Sequence, residues 1–370
     1  MCKLEVQKII YNTKTRTMTK VKQLNFTGET IYCGLDVHKT NWKVNLRTQD
    51  LDLAGFSQNP DAALLKRHLD KNYPGAEVKV VYEAGFCGFG AQRSLKKLGI
   101  DCIVVNAADV PTSDKERKRK DDKRDARKLS REISEGNLEP IYIPTIEMEQ
   151  YRTLVRQRHR LIQDQSRCKN RIKHMVMFSG LTVLDTQQRW SKKYVNQLEE
   201  LTCETPALRM ALDLAISEYK QIRDLIKGAT LSIRNLSKEP PFDQVQPYLQ
   251  SIDGIGLINA MVIQTEIQDM HRFKTLDSLR NYAGLVPDIH SSNDKTIIRG
   301  VTHRRNEFLR EAIIESSWML IRKDPAMLMK YNEYKKRMNG NKAIIRIGKH
   351  LLSRIRHVWI NKETYERGIL

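Results

Sequence analysis

The stretch VKVVYEAGFCGFGAQRSLKKLGIDCIVV, residues 78–105, decides the fold class. Its opening, VKVVYEA (78–84), is a compact apolar run of the buried-strand kind. Residues 86–98 then read as a helix, and IDCIVV (100–105) as a further strand. Upstream, IYCGLDV (31–37), WKVNL (42–46) and Leu51–Phe56 are short β-branched or alternating segments with polar breaks between them. Pro60–Asp70 reads as a short helix with Ala63, Leu64, Leu65 and Leu69 on its apolar side. Strands alternating with helices predict a central sheet covered on both faces. DKERKRKDDKRDARK (114–128) starts as a basic loop and turns helical through DARKLSREI, and PIYIP (140–144) reads as a last strand closing the domain at a proline.

After Pro144 the texture changes to long helices. In YRTLVRQRHRLIQDQSRCKNRIKHMVMFSG, Leu154, Leu161, Cys168 and Met175 recur every seven residues, with Val155, Ile162, Ile172 and Val176 alongside. Arg152, Arg156, Arg160, Arg167 and Lys173 occupy other faces. A second stripe, Leu208, Leu212, Ala215, Tyr219, Ile222 and Ile226, steps by four and three, and Pro240-Pro241 ends it. The pair reads as an antiparallel helical arm, suited to dimerisation, to gripping nucleic acid, or to both. The expected organisation is therefore an N-terminal extension (1–28) with no assigned role, an α/β domain (29–145), a helical coiled-coil arm (146–240) and a mostly helical C-terminal domain (241–370). In the last, a SIDGIG turn precedes an irregular middle, and helices follow from Asn306 to Ile360.

Composition narrows the function. With 64 Lys+Arg against 44 Asp+Glu, the 370-residue chain carries a formal charge of +20. A polyanion is the natural partner, nucleic acid first, because each Lys or Arg that neutralises a phosphate releases a counterion. A merely soluble basic protein is the alternative. Hydrophobic residues at 40% provide for real cores. A mean hydropathy of −0.55, with no apolar run near the ~20 residues of a bilayer span, predicts no membrane insertion. The basic N-terminus lacks an apolar h-region and a small-residue cleavage site, so no secretory leader is expected. The six cysteines are scattered without C-x-x-C or zinc spacing, which fits reduced thiols and a cytoplasmic location.

The first constellation with chemical content is acidic. Asp36 ends one predicted strand in GLDVHK, and Glu83 ends another in VYEAG. Asp122 and Asp125, in DDKRDA, are spaced i, i+3 on one face of a helix start. Carboxylates drawn together repel unless cations neutralise them, and hard oxygen donors suit Mg²⁺. A two-metal site of this kind activates one phosphate oxygen and stabilises the other. Singly, Asp36 also fits a turn, and Asp122 and Asp125 fit acids favoured by the helix dipole. Lys39, Arg117, Lys118, Arg119, Lys123 and Arg124 surround them as phosphate contacts or solvated charges. His38 touches metal or phosphate, or is simply hydrogen-bonded. Trp190, Trp318 and Trp359 are expected in cores.

The run GLDVHK…VYEAG…DDKRDA resembles the RuvC-like, DEDD-type nuclease domain of the IS one-ten family of insertion-sequence transposases, related to the Piv site-specific invertases. YRTLVRQRHRL…RCKNRI is similar to the signature that follows that domain. IDGIGLINAMVIQTEI, FKTLDSLRNYAGLVP, HSSNDK, RGVTHRRNEFLREA and NKAIIRIGKHLL match its C-terminal transposase domain in order, so the resemblance covers roughly residues 30–362. It implies an RNase H/RuvC-like α/β fold, a helical arm and a transposase domain with a helix-hairpin-helix-like turn. It implies a DNA recombinase dependent on two Mg²⁺ ions held by Asp36, Glu83, Asp122 and Asp125, acting in the cytoplasm of a bacterium or archaeon. The implied partners are donor and target DNA, a structured bridge RNA that guides target choice, and further copies of the chain, as a dimer assembling to a tetramer.

Two C-terminal motifs take their meaning from this resemblance. In SIDGIG (251–256), Gly254 and Gly256 precede a helix and allow backbone N–H groups to approach a phosphate; a tight turn into a packed helix is the alternative. In HSSNDK (290–295), the family's nucleophilic serine, usually followed by glycine, aligns with Ser292, with Ser291 as fallback. Asn293 replaces that glycine, and asparagine tolerates left-handed backbone geometry. HRRN (303–306) replaces the family's more frequent Lys-x-Gly-Asn run. Lys295, Arg299 and His303 are near enough in sequence to balance charge on a phosphate. By residues alone, Ser-Ser-Asn is also an ordinary polar turn. Rival readings are an invertase with the same chemistry, a RuvC-like metal nuclease without a covalent intermediate, and a non-catalytic nucleic-acid-binding protein.

Affinity for duplex DNA should fall steeply with salt, with a log–log slope of about −0.9 per neutralised phosphate and several units in all. Binding titrations across a salt series measure it; an affinity insensitive to salt would show the basic stretches to be solvated bystanders.

Overall fold

Alternating apolar residues build the first sheet. Its strands are β1 (Thr30–Val37), β2 (Trp42–Arg47), β3 (Asp52–Gln58), β4 (Glu77–Glu83) and β5 (Asp101–Val105), in spatial order β3-β2-β1-β4-β5. The β1–β2 and β2–β3 pairs are antiparallel, while β1–β4 and β4–β5 are parallel. The computed structural model describes residues 25–111, 122–183, 190–292 and 295–368, and the side chains at 122–123, 289–292 and 295–299 lie outside the described residues.

Both faces of the sheet are covered, as expected. Side chains alternate along a strand, so Cys33, Leu35, Val80, Tyr82, Cys102 and Val104 share one core. Helices α1 (Ala62–Asn72) and α2 (Gly90–Lys97) close it with Leu65, Leu69 and Leu95. On the other face, Val81 and Val105 pack with Leu129 of α3 (Asp122–Ser134). Two expectations are corrected. Helix α2 begins at Gly90, four residues later than the apolar pattern indicated, because Phe86 and Cys87 form a turn in which Gly88 N–H donates to Gly85 C=O at 3.1 Å. PIYIP is not a strand: Pro140 and Pro144 lack N–H groups, and one backbone bond, Ile141 N–H to Val104 C=O at 2.8 Å, is its link to β5.

The chain divides into two compact units, one ending at Ile143 and the other starting at Pro144. In the second, α4 (Ile146–Phe178) and α6 (Pro206–Leu236) lie against each other, with α5 (Lys192–Glu200) between them in sequence. Arg158 reaches Thr230, whereas Cys168 reaches Ala215, so the two helices run antiparallel. Their seam holds Cys168, Ile172, Leu212, Ile216 and Tyr219, much as the heptads indicated, although Ile162 is exposed. Trp190 packs on Tyr194 and Tyr219. Thr145 and Thr205 start the long helices by accepting from the N–H groups of Met148 and Leu208. No described helix is long and apolar enough to cross a membrane.

The same unit continues with α7 (Gln246–Ser251), α8 (Leu257–Ile267), α9 (Leu276–Tyr282), a hairpin of β6 (Pro287–Ser292) and β7 (Lys295–Val301), then α10 (Glu307–Lys323), α11 (Pro325–Lys335) and α12 (Gly340–Asn361). The stretch read as irregular is thus that hairpin. Trp318 and Trp359 flank the helical core, as expected.

One buried charge ties the arm to this core. Glu266 is fully buried in α8, and Arg156 of α4 donates to both its carboxylate oxygens at 2.7 Å. Asn306 adds a third bond at 2.8 Å, and Phe308 lies under the guanidinium at 4.6 Å. Burial pulls the Arg156 pKa down, but the bonds and charge of Glu266 outweigh it and hold the pKa above its usual value. Removing the arginine strands a buried carboxylate, so Arg156→Met should cost about 3–5 kcal/mol. Arg156→Met with Glu266→Met should recover most of that loss in urea denaturation followed by helical circular dichroism.

Candidate active site

Strand alternation decides which side the acids face. Gly34 and Asp36 on β1, and Val81 and Glu83 on β4, fall on the face that α3 covers. Leu35 pairs with Tyr82, and Asp36 and Glu83 each follow by one residue. Two carboxylates therefore stand side by side at the carboxyl ends of adjacent parallel strands. Asp36 Oδ2 accepts from His38 Nε2 at 2.9 Å, with the two side chains 21% and 38% exposed. This bond fits the hydrogen-bonded reading of His38 and orients one Asp36 oxygen.

Helix α3 reaches this face because Gly34 has no side chain. A Cβ there would lie 2.0 Å from Ala126 C=O and 2.6 Å from Ser130 N. Ser130 Oγ, also fully buried, donates to Asn45 Oδ1 at 2.5 Å, on the β2 residue opposite Gly34. Arg127 donates through Nε to Asp52 Oδ2 at 2.9 Å and pins the outer side. The buried stripe of α3 runs through Ala126, Leu129 and Ser130. Counting back one helical turn, positions 122 and 125 continue that stripe. Asp125 is half-buried. Asp36, Glu83 and Asp125 are hard oxygen donors, and Asp36 and Glu83 share one sheet end; that donor chemistry fits a divalent cation of the Mg²⁺ kind. Among the described residues, no three His, Cys, Asp or Glu side chains form a metal-sized group, and the Asp122 side chain is not among them.

The basic candidates divide. Lys39 and Arg124 are exposed beside the acids, whereas Arg117, Lys118, Arg119 and the side chain of Lys123 lie outside the described residues. On the arm, Arg156 is committed to Glu266, and Arg167 and Arg171 pair with Asp164 and Glu218. Charge counted along the helix thus overstates the basic surface it offers. The signal for the Arg156 pair was Glu266 itself, a lone acid in the apolar run LINAMVIQTEI.

In the second unit, Gly254 has φ +90°, and a Cβ there would lie 2.5 Å from Ser316 C=O. Close packing against α10 is sufficient reason for this glycine. Gly256 caps α8, and a Cβ there would meet nothing within 4 Å. Ser292 ends β6 opposite Lys295, with Ser291 opposite Thr296. The side chains of Ser291, Ser292, Lys295 and Arg299 lie outside the described residues; His303 is exposed just beyond β7.

Comparison with known proteins agrees with this layout. A family model for the transposases of the IS116/IS110/IS902 family matches residues 246–332, and a DEDD transposase model of the IS110 type matches residues 33–178. The chain is 28% identical over 291 residues to the putative transposase y4qE of Sinorhizobium fredii, covering 78% of this chain and 71% of that protein. It is 26% identical over 251 residues to the transposase for insertion sequence element IS1111A of Coxiella burnetii, with 66% of each covered. The transposase for IS1533 of Leptospira borgpetersenii is 25% identical over 243 residues, 65% of this chain and 70% of that one.

Gly34→Ala should destabilise the first unit by about 3 kcal/mol, because the new methyl meets backbone that cannot move aside without lifting α3. Amide hydrogen exchange should quicken in α3 before the strands; unchanged protection there would show that the helix is held by other contacts.

Proposed function

The chain belongs to the IS116/IS110/IS902 transposase family, and from that premise we propose that it cuts and rejoins DNA during insertion-sequence mobility. The observation that carries the reading is the placement of Asp36 and Glu83 at one end of adjacent strands under the helix bearing Asp122 and Asp125. In this reading the α/β unit is an RNase H/RuvC-like nuclease domain, the long helices are an arm, and the C-terminal helices with the turn at Gly254 are the transposase domain, divided near residues 145 and 240. Asp36, Glu83, Asp122 and Asp125 hold Mg²⁺, two ions when complete. Bound there, the ions supply Lewis-acid polarisation of a phosphodiester. His38 keeps one Asp36 oxygen oriented. Lys39, Arg117, Lys118, Arg119, Lys123 and Arg124 hold the nucleic-acid backbone, and Gly256 brings the start of α8 close to a phosphate.

Ser292 is the nucleophile in this proposal. A serine hydroxyl is weak at neutral pH and needs its proton drawn off. Its oxygen bonds to phosphorus as the bond to a deoxyribose oxygen breaks, and that oxygen leaves with a proton. The phosphoserine link retains the energy of the phosphodiester, so reversal with a new strand needs no outside energy source. Lys295, Arg299 and His303 balance the developing charge. The acids of one copy work with the serine of another in a dimer or tetramer. A bridge RNA pairs with donor and target DNA, leaving the protein to hold backbone and shape. The setting is the cytoplasm of a bacterium or archaeon.

The test uses the chain with its RNA and the DNA ends of its element. Ala at Asp36, Glu83 or Asp125, or EDTA, should abolish cleavage with DNA binding retained. Ser292→Ala should form no protein–DNA adduct on denaturing gels. Cleavage without adducts in the wild type would mean a hydrolytic nuclease, and full cleavage in EDTA would end the metal reading. Robust recombination by protein stripped of RNA would remove the guide.

A further inference from the structure

The turn after Glu83 presents an aromatic ring to solvent. Phe86 is 77% exposed, at the second position of the Gly85–Gly88 turn. The backbone around it is pinned from three sides. Ala84 N–H donates to Val105 C=O at 2.7 Å, and Gly88 N–H to Gly85 C=O at 3.1 Å. The hydroxyl of the buried Tyr82 donates to Gly88 C=O at 3.0 Å. Cys87, the next residue, turns inward against the sheet core. Phe86 is therefore held outward by a fixed turn.

Its location separates it from an ordinary surface phenylalanine. The ring lies 6.4 Å from the imidazole of His38, tilted by 38°, and that imidazole bonds to Asp36. Phe86 and His38 together form an aromatic rim, His38 two residues after Asp36 and Phe86 three after Glu83. Cations, whether held by acids or carried on basic side chains, grip a phosphate but not the base attached to it. An exposed ring at a fixed place supplies what they lack, a flat apolar surface, and every base has a π-face to lay on it.

We infer that Phe86 stacks on a nucleobase of the DNA strand whose phosphate is bound at Asp36 and Glu83, holding the strand in register for cutting. The inference rests on the nuclease reading of those acids. Inside a duplex both faces of a base are covered by its neighbours, so the contact favours single-stranded or locally opened DNA at the cut. It carries no sequence preference, which suits a protein whose target is chosen elsewhere.

The test uses the full chain with Ca²⁺ in place of Mg²⁺, which keeps a cation between the carboxylates and the phosphate, and a short single strand of 5-iododeoxyuridine. Irradiation should crosslink the strand to the peptide containing Phe86. By anisotropy, Phe86→Ala and Phe86→Leu should weaken binding about five- to a hundredfold, the range expected for one stacked base. Phe86→Trp and Phe86→Tyr should bind as the wild type, a rescue that a purely structural role for the ring would not produce. With Mg²⁺ and element DNA, the Ala variant should raise KM far more than it lowers kcat. Leu binding as well as Trp, or no crosslink at Phe86, would overturn the inference. If Asp36→Ala abolishes cleavage while the Phe86 variants bind normally, stacking alone fails. If Asp36→Ala cuts normally, the nuclease reading fails, and a Phe86 crosslink then marks a nucleic-acid contact away from the chemistry.

Discussion

In the first unit β1 and α3 meet backbone to backbone, and they do so because residue 34 is glycine. With 2.0 Å between its hypothetical Cβ and Ala126 C=O, no side chain fits between strand and helix. That approach lets the hydroxyl of Ser130 bond Asn45 across the interface. It also lays α3 over the sheet face from which Asp36 and Glu83 project. A helix standing off by one side-chain layer would leave its acidic first turn remote from the strand ends. The geometry of the candidate site is thus a packing consequence before it is an electrostatic one. In the proposed reading, a cation would relieve the repulsion between the two strand-end carboxylates.

The second unit depends on the opposite device, a buried charge. Glu266 sits in an apolar helix and is tolerated because Arg156 and Asn306 satisfy it. Apolar contacts alone would let α4 slide or rotate against α8, since burial energy has little direction. A bidentate guanidinium–carboxylate pair permits one register. The base of the arm is further fixed by Val155, Ile233, Phe242 and Met261. The hairpin that carries Ser292 lies between α9 and α10, and Asn306 joins it to the same network by bonding both Glu266 and Tyr282.

Legibility of these features from sequence followed the range of the forces involved. Strands β1, β4 and β5 were readable because an apolar run of five to eight residues is a local signal. Asp36 and Glu83 were readable because each lies at the end of such a run. The start of α2 was misjudged because the fate of residues 86–89 turns on Tyr82, whose hydroxyl claims the carbonyl of Gly88. The hairpin at 287–301 is hard to read from sequence because its first strand, PDIHSS, is short, polar and opened by a proline, so the β-branched KTIIRGV has no evident partner. Arg156 looked like one more solvated cation of the arm, since its partner lies 110 residues away.

By itself the sequence determined the alternation of strands and helices in the first unit up to β5, the long helices after Pro144, the excess of positive charge, the strand-end positions of Asp36 and Glu83, and the family resemblance. These are local patterns, set by a period of two or of 3.6 residues and by composition. Only the tertiary structure decided that α3 lies on the acid-bearing face, that Gly254 packs against α10, that Arg156 is spoken for, and that Phe86 is held in the open beside His38. Each of these depends on which distant segment comes within a few ångströms. No local period records that, because the energy that selects it is the fit of two surfaces brought together only by folding.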